Sequence, residues 1–393
     1  MCAFDAVESL SCTDCGGRVD PAETSHRCPD CGGVLSFTYP YDRLDLSPSS
    51  FRLVRFDGLR RYEPVLPFDA GSLVTLAEGT TPLVGCPDLA ADVGIDEVFL
   101  KREGANPTGS VADRGLALAV SAALAHDADR VALPSTGPGG VAAAAYGARV
   151  GIETQVYVPS RSTFDAKAMT NVHGGEMTVV DGGYADAVEA FEDDDGYSLA
   201  PFDTPYRYEG AKTLAYEIAE QLEWSGPDAV VVPEGHGTVV AGVRAGFEEL
   251  VLFGLIETRP ALYIAQPSGC APFVEAFRND ADAPSAWERP DTVCGPLAVA
   301  RPDSRGGSLA LDALAATGGG AVAVDDATAM AHAVDVASTD GVPVSVTGGV
   351  ATAAVDSLSE EGLSGAECVV AVDPIAADAE ADLLRSHLMS TGV

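Results

Sequence analysis

Lysine is the scarcest charged residue in this chain of 393 residues, and it occurs only at positions 101, 167 and 212. Lysine and arginine together number 23 against 59 acidic residues, which gives a formal net charge of −36. A surface of this sign repels the phosphates of DNA and RNA, so nucleic acid is excluded as an expected partner. High salt screens the self-repulsion of such a surface, and the acidic excess therefore predicts a halophilic protein adapted to a high-salt cytoplasm.

Long apolar runs are also missing. No stretch reaches the roughly 18 consecutive apolar residues that indicate a transmembrane helix. The N-terminus is acidic and carries two cysteines early, which is not the pattern of a signal peptide. We therefore expect a cytoplasmic protein with no membrane partner.

Four of the nine cysteines form two Cys-x-x-Cys pairs, Cys12 with Cys15 and Cys28 with Cys31, and twelve residues separate the pairs. Each pair is followed by Gly-Gly, and a tight turn of this kind presents two thiolates. Four thiolates close a tetrahedral Zn²⁺ shell without an open position, so the spacing predicts a structural zinc ribbon. The alternative is a pair of disulfides, which a cytosolic setting disfavours.

From Glu97 onward, short apolar runs alternate with alanine-rich helical runs. Strands are predicted at 98–100, 130–133, 155–158, 177–180, 229–232, 262–265, 321–324 and 368–372. Helices are predicted at 116–126, 139–150, 166–172, 185–191, 211–224, 239–255, 327–338 and 350–358. This alternation is typical of an α/β fold, in which helices cover both faces of parallel sheets and ligands bind at the carboxyl ends of the strands.

The segment Lys101–Gly115 reads Lys-Arg-Glu-Gly-Ala-Asn-Pro-Thr-Gly-Ser-Val-Ala-Asp-Arg-Gly. Ser110 follows its turn and Asp113 comes three residues later, which predicts a capping-box helix start. The segment resembles the cofactor-lysine motif of threonine synthases, pyridoxal-phosphate (PLP) enzymes of fold type II, in which Phe-Lys-Asp-Arg-Gly follows Asn-Pro-Thr-Gly-Ser. Ala112 stands here at the position of the lysine that forms the Schiff base with PLP.

The resemblance implies a two-lobed α/β fold of PLP fold type II with parallel sheets covered by helices, plus the N-terminal zinc ribbon. It places the ribbon at residues 1–40, a discontinuous large domain at 41–103 and 200–393, and a small domain at 104–199. It also implies PLP as the family cofactor, bound without a covalent link or lost, and a homodimer, which is the usual assembly in the family.

Two further positions lie where the family binds its cofactor. Pro138 replaces the asparagine that hydrogen-bonds the phenolic oxygen of PLP, and proline offers neither a side-chain donor nor a backbone N–H. Asp373 stands where a threonine hydroxyl meets the pyridine nitrogen. An aspartate can pair with a pyridinium nitrogen, but beside Ala112 and Pro138 it indicates decay of the site.

A loop between a predicted strand and helix corresponds to the family loop whose amides hold the PLP phosphate. Free amides and the helix dipole make such a turn an anion site. The resemblance assigns Gly235, His236, Gly237 and Thr238 to this role, although a generic strand–turn–helix junction explains the glycines equally well. Glu234 would weaken phosphate binding if it pointed inward. We expect His236 to be a solvated loop histidine.

The remaining cations offer few alternatives. Arg102, Arg114 and Arg305 are candidates for binding an anionic substrate, but we expect each to be a surface partner of one of the many carboxylates. Lys212 is the nearest candidate for a relocated imine. We do not expect that arrangement, because a displaced amine seldom meets the geometry that the reaction needs.

Alanine can neither form an imine nor move protons at the substrate carbons, so position 112 separates three functions. The first is a non-catalytic threonine synthase-like paralogue that binds a phosphorylated or amino-acid ligand. The second is an active threonine synthase, a PLP lyase that converts O-phosphohomoserine to threonine, with the cofactor held in an unrecognised way. The third is an interaction module with a collapsed site. We favour the first.

Overall fold

The computed structural model describes residues 4, 6–24, 26–51 and 58–391. Its strands form three sheets, one with three strands near the N-terminus, one with six and one with four. The strands are β1 (Ser9–Cys12), β2 (Arg18–Val19), β3 (Leu35–Thr38), β4 (Leu83–Gly85), β5 (Glu97–Arg102), β6 (Arg130–Pro134), β7 (Glu153–Pro159), β8 (Glu176–Val180), β9 (Tyr197–Ser198), β10 (Ala229–Pro233), β11 (Ala261–Pro267), β12 (Gly320–Val324) and β13 (Cys368–Asp373).

Helices connect these strands and cover the two larger sheets. They are α1 (Pro87–Val93), α2 (Ala112–Ala125), α3 (Pro138–Val150), α4 (Phe164–Val172), α5 (Tyr184–Phe191), α6 (Tyr206–Ala211), α7 (Thr213–Gln221), α8 (Thr238–Leu252), α9 (Pro272–Arg278), α10 (Ser304–Thr317), α11 (Asp326–Thr339), α12 (Val346–Leu358) and α13 (Ala381–Thr391). Among the described helices, none has both the length and the apolar composition needed to cross a bilayer.

The six-stranded sheet has the order β12-β11-β10-β13-β5-β4, and its strands are parallel except for the antiparallel pair β4 and β5. Alternate residues of β10 enter two different apolar cores. Val230 and Val232 belong to one core, and Ala229 and Val231 belong to the other. Both faces of the strand are therefore buried, which explains its uninterrupted apolar run. The α/β prediction is confirmed.

The four-stranded sheet has the order β8-β7-β6-β9, and all of its strands are parallel. Helices α3, α4 and α5 pack against it and form the second lobe with it. Its strands fall between Arg130 and Ser198, and those of the larger sheet lie on either side of this range in the sequence. The eight predicted strands are all present.

Two glycines bring α2 and α6 close together. A Cβ atom at Gly115 would lie 2.4 Å from the carbonyl oxygen of Arg207, and one at Gly210 would lie 2.1 Å from the carbonyl oxygen of Arg114. Only a hydrogen in place of a side chain permits this approach of the two backbones. The contact places Arg207 beside the beginning of α2.

The capping box predicted for Ser110 and Asp113 at the start of α2 is wrong. The helix begins at Ala112, and no side chain caps it. Asp113 instead turns back to the preceding loop, where its carboxylate accepts hydrogen bonds from the amide of Thr108 at 2.9 Å and from its hydroxyl at 2.6 Å. The buried carboxylate thus stabilises the turn from inside, and Ser110 is left without a capping role. The helix predicted at 211–224 is shorter in the structure, because α7 covers 213–221 and Ala211 is the last residue of α6.

The N-terminal sheet, with the order β2-β1-β3, is antiparallel and rests on α6 and α10. The Tyr39 hydroxyl donates to the carboxylate of Glu209 on α6 at 2.5 Å, and the Arg27 guanidinium donates to Asp303, which caps α10, at 2.6 Å. The ribbon therefore supports the helix that carries Arg207.

Candidate functional site

A cavity of about 100 Å³ lies where β6, β10 and β13 end and α2, α3 and α8 begin. This is the edge at which parallel α/β sheets bind ligands. Its polar lining includes Ser110, Ser135, Arg207, Glu234, His236 and Thr347, and its apolar lining includes Ala112 and Pro138. The sequence motifs at the ends of β5, β6 and β10 are thus brought together on one cavity.

Ala112 is the first residue of α2 and contributes a methyl group to the cavity wall. The three lysine amines are engaged elsewhere. Lys101 donates to Glu217 at 2.7 Å and Lys212 donates to Glu249 at 2.9 Å, and both lysines are completely buried. The Nζ atom of Lys167 donates to a backbone carbonyl at 2.9 Å. No lysine among the described residues lines the cavity.

The loop after β6 satisfies its own polar groups. The Ser135 hydroxyl oxygen accepts hydrogen bonds from the amides of Gly137 at 3.0 Å and Gly140 at 2.8 Å. Pro138 opens α3, where its missing N–H costs nothing because the first turn of a helix leaves that donor without an intrahelical partner. It presents an apolar ring to the cavity.

Glu234 points inward and lies against the beginning of α8. One carboxylate oxygen accepts from the amide of His236 at 3.0 Å, and the other accepts from the amides of Val239 at 3.0 Å and Val240 at 3.1 Å. Burial raises the pKa of this carboxyl group, while the backbone donors act in the opposite direction. Because all three partners are donors, the ionised carboxylate is the form that fits.

The prediction that His236 is solvated holds only in part, because the residue is half-buried rather than exposed. Its ring meets the edge of Tyr184 with ring centres 5.0 Å apart, and its Nε2 atom is buried without a hydrogen-bond partner. Burial, assisted by the charge of Arg207, lowers the pKa of the imidazole to about 3. His236 therefore presents a neutral ring with one unused nitrogen.

Arg207 is the cation of the cavity. Its Nη1 atom donates to the carbonyl oxygen of Leu199 at 3.0 Å, and the guanidinium forms no ion pair with a carboxylate among the residues that the structure describes. Burial lowers the pKa of Arg207 to about 10, which leaves the group charged at neutral pH. Arg207 is half-buried, and the Glu234 carboxylate raises its pKa from a distance without forming an ion pair, so the guanidinium keeps hydrogen-bonding capacity for an anionic ligand.

The predicted arginines behave differently from one another. Arg305 pairs with Asp14 at the surface at 3.1 Å, as expected. The surface prediction is wrong for Arg114, which is fully buried and donates through Nε to Glu103 at 2.6 Å and through Nη1 to Glu217 at 3.2 Å. Its position on the inner side of α2 gives it a structural role. Arg102 lines a separate cleft.

Asp373 also lies outside the cavity lining, in the cleft that holds Arg102. Its carboxylate accepts a hydrogen bond at 2.5 Å from the hydroxyl of Ser345, which caps α12. Burial raises the pKa of Asp373 to about 7. The next residue, Pro374, lines the cavity instead.

The four ribbon cysteines form a second candidate site. They are free thiols, and their sulfur atoms all lie within 4.8 Å of one another. Cys12 and Cys31 are 3.5 Å apart at sulfur, and Cys15 and Cys28 are 3.8 Å apart. A tetrahedral shell with Zn–S bonds of about 2.3 Å places its sulfurs ~3.8 Å apart. The four cysteines could therefore hold a metal ion.

Known proteins were compared with this chain. The family model "Pyridoxal-phosphate dependent enzyme" matches residues 74–374. The chain belongs to this family. It is 34% identical over 358 residues to the threonine synthase of Methanocaldococcus jannaschii, covering 90% of this chain and 88% of the relative. It is 32% identical over 360 residues to the threonine synthase of Methanosarcina acetivorans, covering 91% and 88%.

Solved structures share the fold of this chain. Threonine deaminase isoform 2 from Solanum lycopersicum matches with a TM-score of 0.66 and 22% identity, covering 80% of this chain and 88% of that one. Diaminopropionate ammonia lyase from Escherichia coli matches with a TM-score of 0.68 and 16% identity, covering 81% and 89%. These likenesses establish PLP fold type II for the chain.

PLP is the cofactor of this family, and three features of the cavity do not fit it. Ala112 presents a methyl group, which cannot capture an aldehyde, and Pro138 offers no donor. The Glu234 carboxylate takes the α8 amides that a phosphate needs, and it would repel a phosphate placed there. The residues present therefore do not hold PLP in the way that the family holds it.

Two residues of the cavity were not predicted as ligand-binding residues. Arg207 stands directly before Tyr208-Glu-Gly-Ala-Lys-Thr213, a run that resembles a family motif, and an arginine at that place was a usable signal. Ser110 was assigned to a cap, but its hydroxyl is buried, lacks a partner and lines the cavity. No sequence pattern indicates that a cap is absent.

Proposed function

We propose that this protein is a threonine synthase homologue that does not form the lysine imine and instead binds a small anionic ligand, an amino acid or a phosphorylated compound, between its lobes. The observation that carries the proposal is the methyl group of Ala112 in the cavity wall, with every lysine amine engaged elsewhere in the described structure. An imine needs a free amine, and no other side chain can replace it.

Arg207 would bind the anionic group of the ligand. Its guanidinium reaches the cavity without a carboxylate partner, so a carboxylate or phosphate would complete its charge-assisted hydrogen bonds. The Ser110 hydroxyl and His236 Nε2 are buried and unpartnered at the same cavity. A ligand with polar groups beside its anion would satisfy both, which favours ligand binding over a collapsed site.

We also propose that the ribbon cysteines bind Zn²⁺ in a structural role. The support is the sulfur geometry and the absence of an open coordination position in a four-thiolate shell. The ribbon would then stabilise α6, and through it Arg207, without taking part in chemistry.

Thermal unfolding in the presence of ligand tests the proposal. O-phosphohomoserine and L-threonine serve as probes, because a compound that binds only the native state raises the unfolding midpoint. We expect at least one probe to stabilise the wild type and to lose that effect in Arg207→Gln. Arg385→Gln, which removes an exposed arginine that pairs with Asp382 on its own helix and does not line the cavity, should respond like the wild type.

The competing functions predict other results. Threonine produced from O-phosphohomoserine by the pure protein with added PLP would identify an active synthase. Failure of both probes to shift the midpoint of the wild type would favour an interaction module with a collapsed site.

A further inference from the structure

The carboxylate of Glu234 occupies the position at which a helix N-terminus holds an anion. It accepts hydrogen bonds from the amides of Val239 and Val240 in the first turn of α8, at 3.0 and 3.1 Å, and from the amide of His236 in the preceding loop, at 3.0 Å. Backbone amides at this end of a helix, together with the helix dipole, are the groups that bind phosphates. In this chain an internal side chain uses them.

Glu234 differs from an ordinary helix cap. Asp325 caps α11 in the usual way, because it immediately precedes that helix and accepts from the amide of Thr328 at 3.0 Å. Glu234 lies three residues before the N-cap of α8, which is Gly237, and reaches across the loop to amides as far away as that of Val240. The side chain fills a cradle instead of closing a turn.

The loop is held in this form from both sides. The buried side chain of Gln266 donates to the carbonyl oxygen of Glu234 at 3.0 Å. Gly237 has φ of +94°, and a Cβ there would lie 2.9 Å from the Cβ of Ala310. The cradle thus keeps the left-handed glycine and the tight packing that a bound anion would need, although the anion is part of the chain.

A second observation shows where a ligand has unused partners. The His236 Nε2 atom and the Ser110 hydroxyl are buried at the same cavity without hydrogen-bond partners, and Arg207 forms no ion pair there. In contrast, the amides of Val239 and Val240 in the first turn of α8 are already paired with Glu234. A ligand anion therefore finds a partner in Arg207, whereas these two α8 amides are taken.

We propose that Glu234 is a resident anion that replaces the phosphate of a ligand, so that the cavity excludes phosphate from the α8 end and selects ligands whose anionic group meets Arg207. This inference rests on the proposed function and deepens it by naming the residue that sets ligand specificity.

The comparison of pyridoxine with pyridoxine phosphate tests the inference, since the two differ only in the phosphate and neither carries an aldehyde. Their dissociation constants are measured by calorimetry on the full-length protein. We expect the wild type to show no preference for pyridoxine phosphate. In Glu234→Ala the freed amides should make pyridoxine phosphate bind roughly 10–100-fold more tightly than pyridoxine.

Two further variants control this experiment. Asp325→Ala removes a carboxylate from another helix N-terminus and should leave the preference unchanged. Glu234→Gln fills the same volume without the charge and should give a preference between those of the wild type and Glu234→Ala. If Glu234→Ala is unstable or neither vitamer binds, the test is the shift of the unfolding midpoint caused by inorganic phosphate. Phosphate should raise the midpoint of a Glu234 variant by more than it raises that of the wild type.

A wild type that already prefers pyridoxine phosphate tenfold would overturn the inference, as would Glu234 variants that gain no response to phosphate. Covalent capture of PLP by the wild type is a separate result. Covalent capture would refute the proposed function. The ratio of the dissociation constants of pyridoxine and pyridoxine phosphate would still test the role of Glu234, because neither compound carries an aldehyde.

Discussion

The two faces of the segment 101–115 have opposite character. The paired face, formed by Lys101, Glu103 and Arg114, is fully buried, and its charges meet in a network with Glu217. The cavity face, formed by Ser110 and Ala112, presents a hydroxyl without a partner and a methyl group. The side chains that hold the segment in place are therefore different from those that face the cavity.

Electrostatics explain why the paired face is intact. Burial alone would raise the pKa of Glu217, but the charges of Arg114 and Lys101 bring it well below the ordinary value for glutamate. The carboxylate also accepts from the amides of Thr80 at 2.8 Å and Thr81 at 2.6 Å. Removing any one partner leaves the others charged in a region without water.

The largest effect is expected on the paired face. Glu217→Gln keeps the side-chain volume but removes the carboxylate partner of buried Lys101 and one of the two carboxylate partners of buried Arg114, so it should lower the free energy of unfolding by roughly 3–5 kcal/mol. Urea unfolding measures this loss. Glu248→Gln is the matched control, since Glu248 pairs with Arg244 near the surface at 2.9 Å, and it should cost no more than about 1 kcal/mol. Equal losses of unfolding free energy in the two variants would mean that the buried network stabilises the protein no more than an ion pair near the surface.

Metal removal tests the support that reaches the cavity through the ribbon. Chelation, or Cys28→Ser, should abolish zinc in elemental analysis and loosen the contacts of Tyr39 and Arg27 with the body. Such charge-assisted bonds contribute about 1.5–3 kcal/mol each, so the unfolding midpoint should fall clearly. Ligand protection should weaken as well, because Glu209 and Arg207 share α6. Cys270→Ser, at a buried cysteine outside the ribbon, should retain zinc.

The pH dependence of Asp373 gives a smaller effect. Burial raises the folded-state pKa of Asp373 to about 7, above the unfolded value of ~3.9. The stability from this group is therefore complete below the unfolded pKa and is lost as pH rises through about 7. The asparagine of Asp373→Asn cannot ionise. The unfolding midpoint of this variant minus that of the wild type should therefore increase from acid to mildly alkaline pH.

Asp325 provides a control of opposite sign, because hydrogen bonds from the hydroxyl and the amide of Thr328 lower the pKa of its carboxyl group. The unfolding midpoint of Asp325→Asn relative to the wild type should therefore not rise with pH. A slope for Asp373→Asn identical to that of the wild type would show that the carboxyl is not perturbed in the folded protein.

The smallest effect is expected on the cavity face. Ser110→Ala removes a hydroxyl that has no partner, so the free energy of unfolding should change by less than about 0.5 kcal/mol. Ser135→Ala removes the acceptor of two amides and should cost roughly 1–3 kcal/mol. A large loss for Ser110→Ala would indicate a hydrogen bond that the structure does not contain.

The sequence predicts the scaffold better than the site. The strand at 229–232 was recognisable because burial of both its faces requires an uninterrupted apolar run, and the position of Ala112 followed from a motif. The inward direction of Glu234 could be stated only as a condition, because a side chain's direction depends on the loop's tertiary packing against Gln266 and Ala310. The burial of Arg114 depends on Glu217, about a hundred residues away in sequence, and no local pattern encodes such a contact.

The mass of the intact protein after borohydride reduction in the presence of PLP tests the central claim most directly. Reduction fixes any imine as a stable adduct, and Lys101, Lys167 and Lys212 are the only lysines that could carry one. The structure predicts no pyridoxyl adduct on these lysines, because their amines are held by other partners. A stoichiometric adduct mapped to Lys101 or Lys212 would contradict the account.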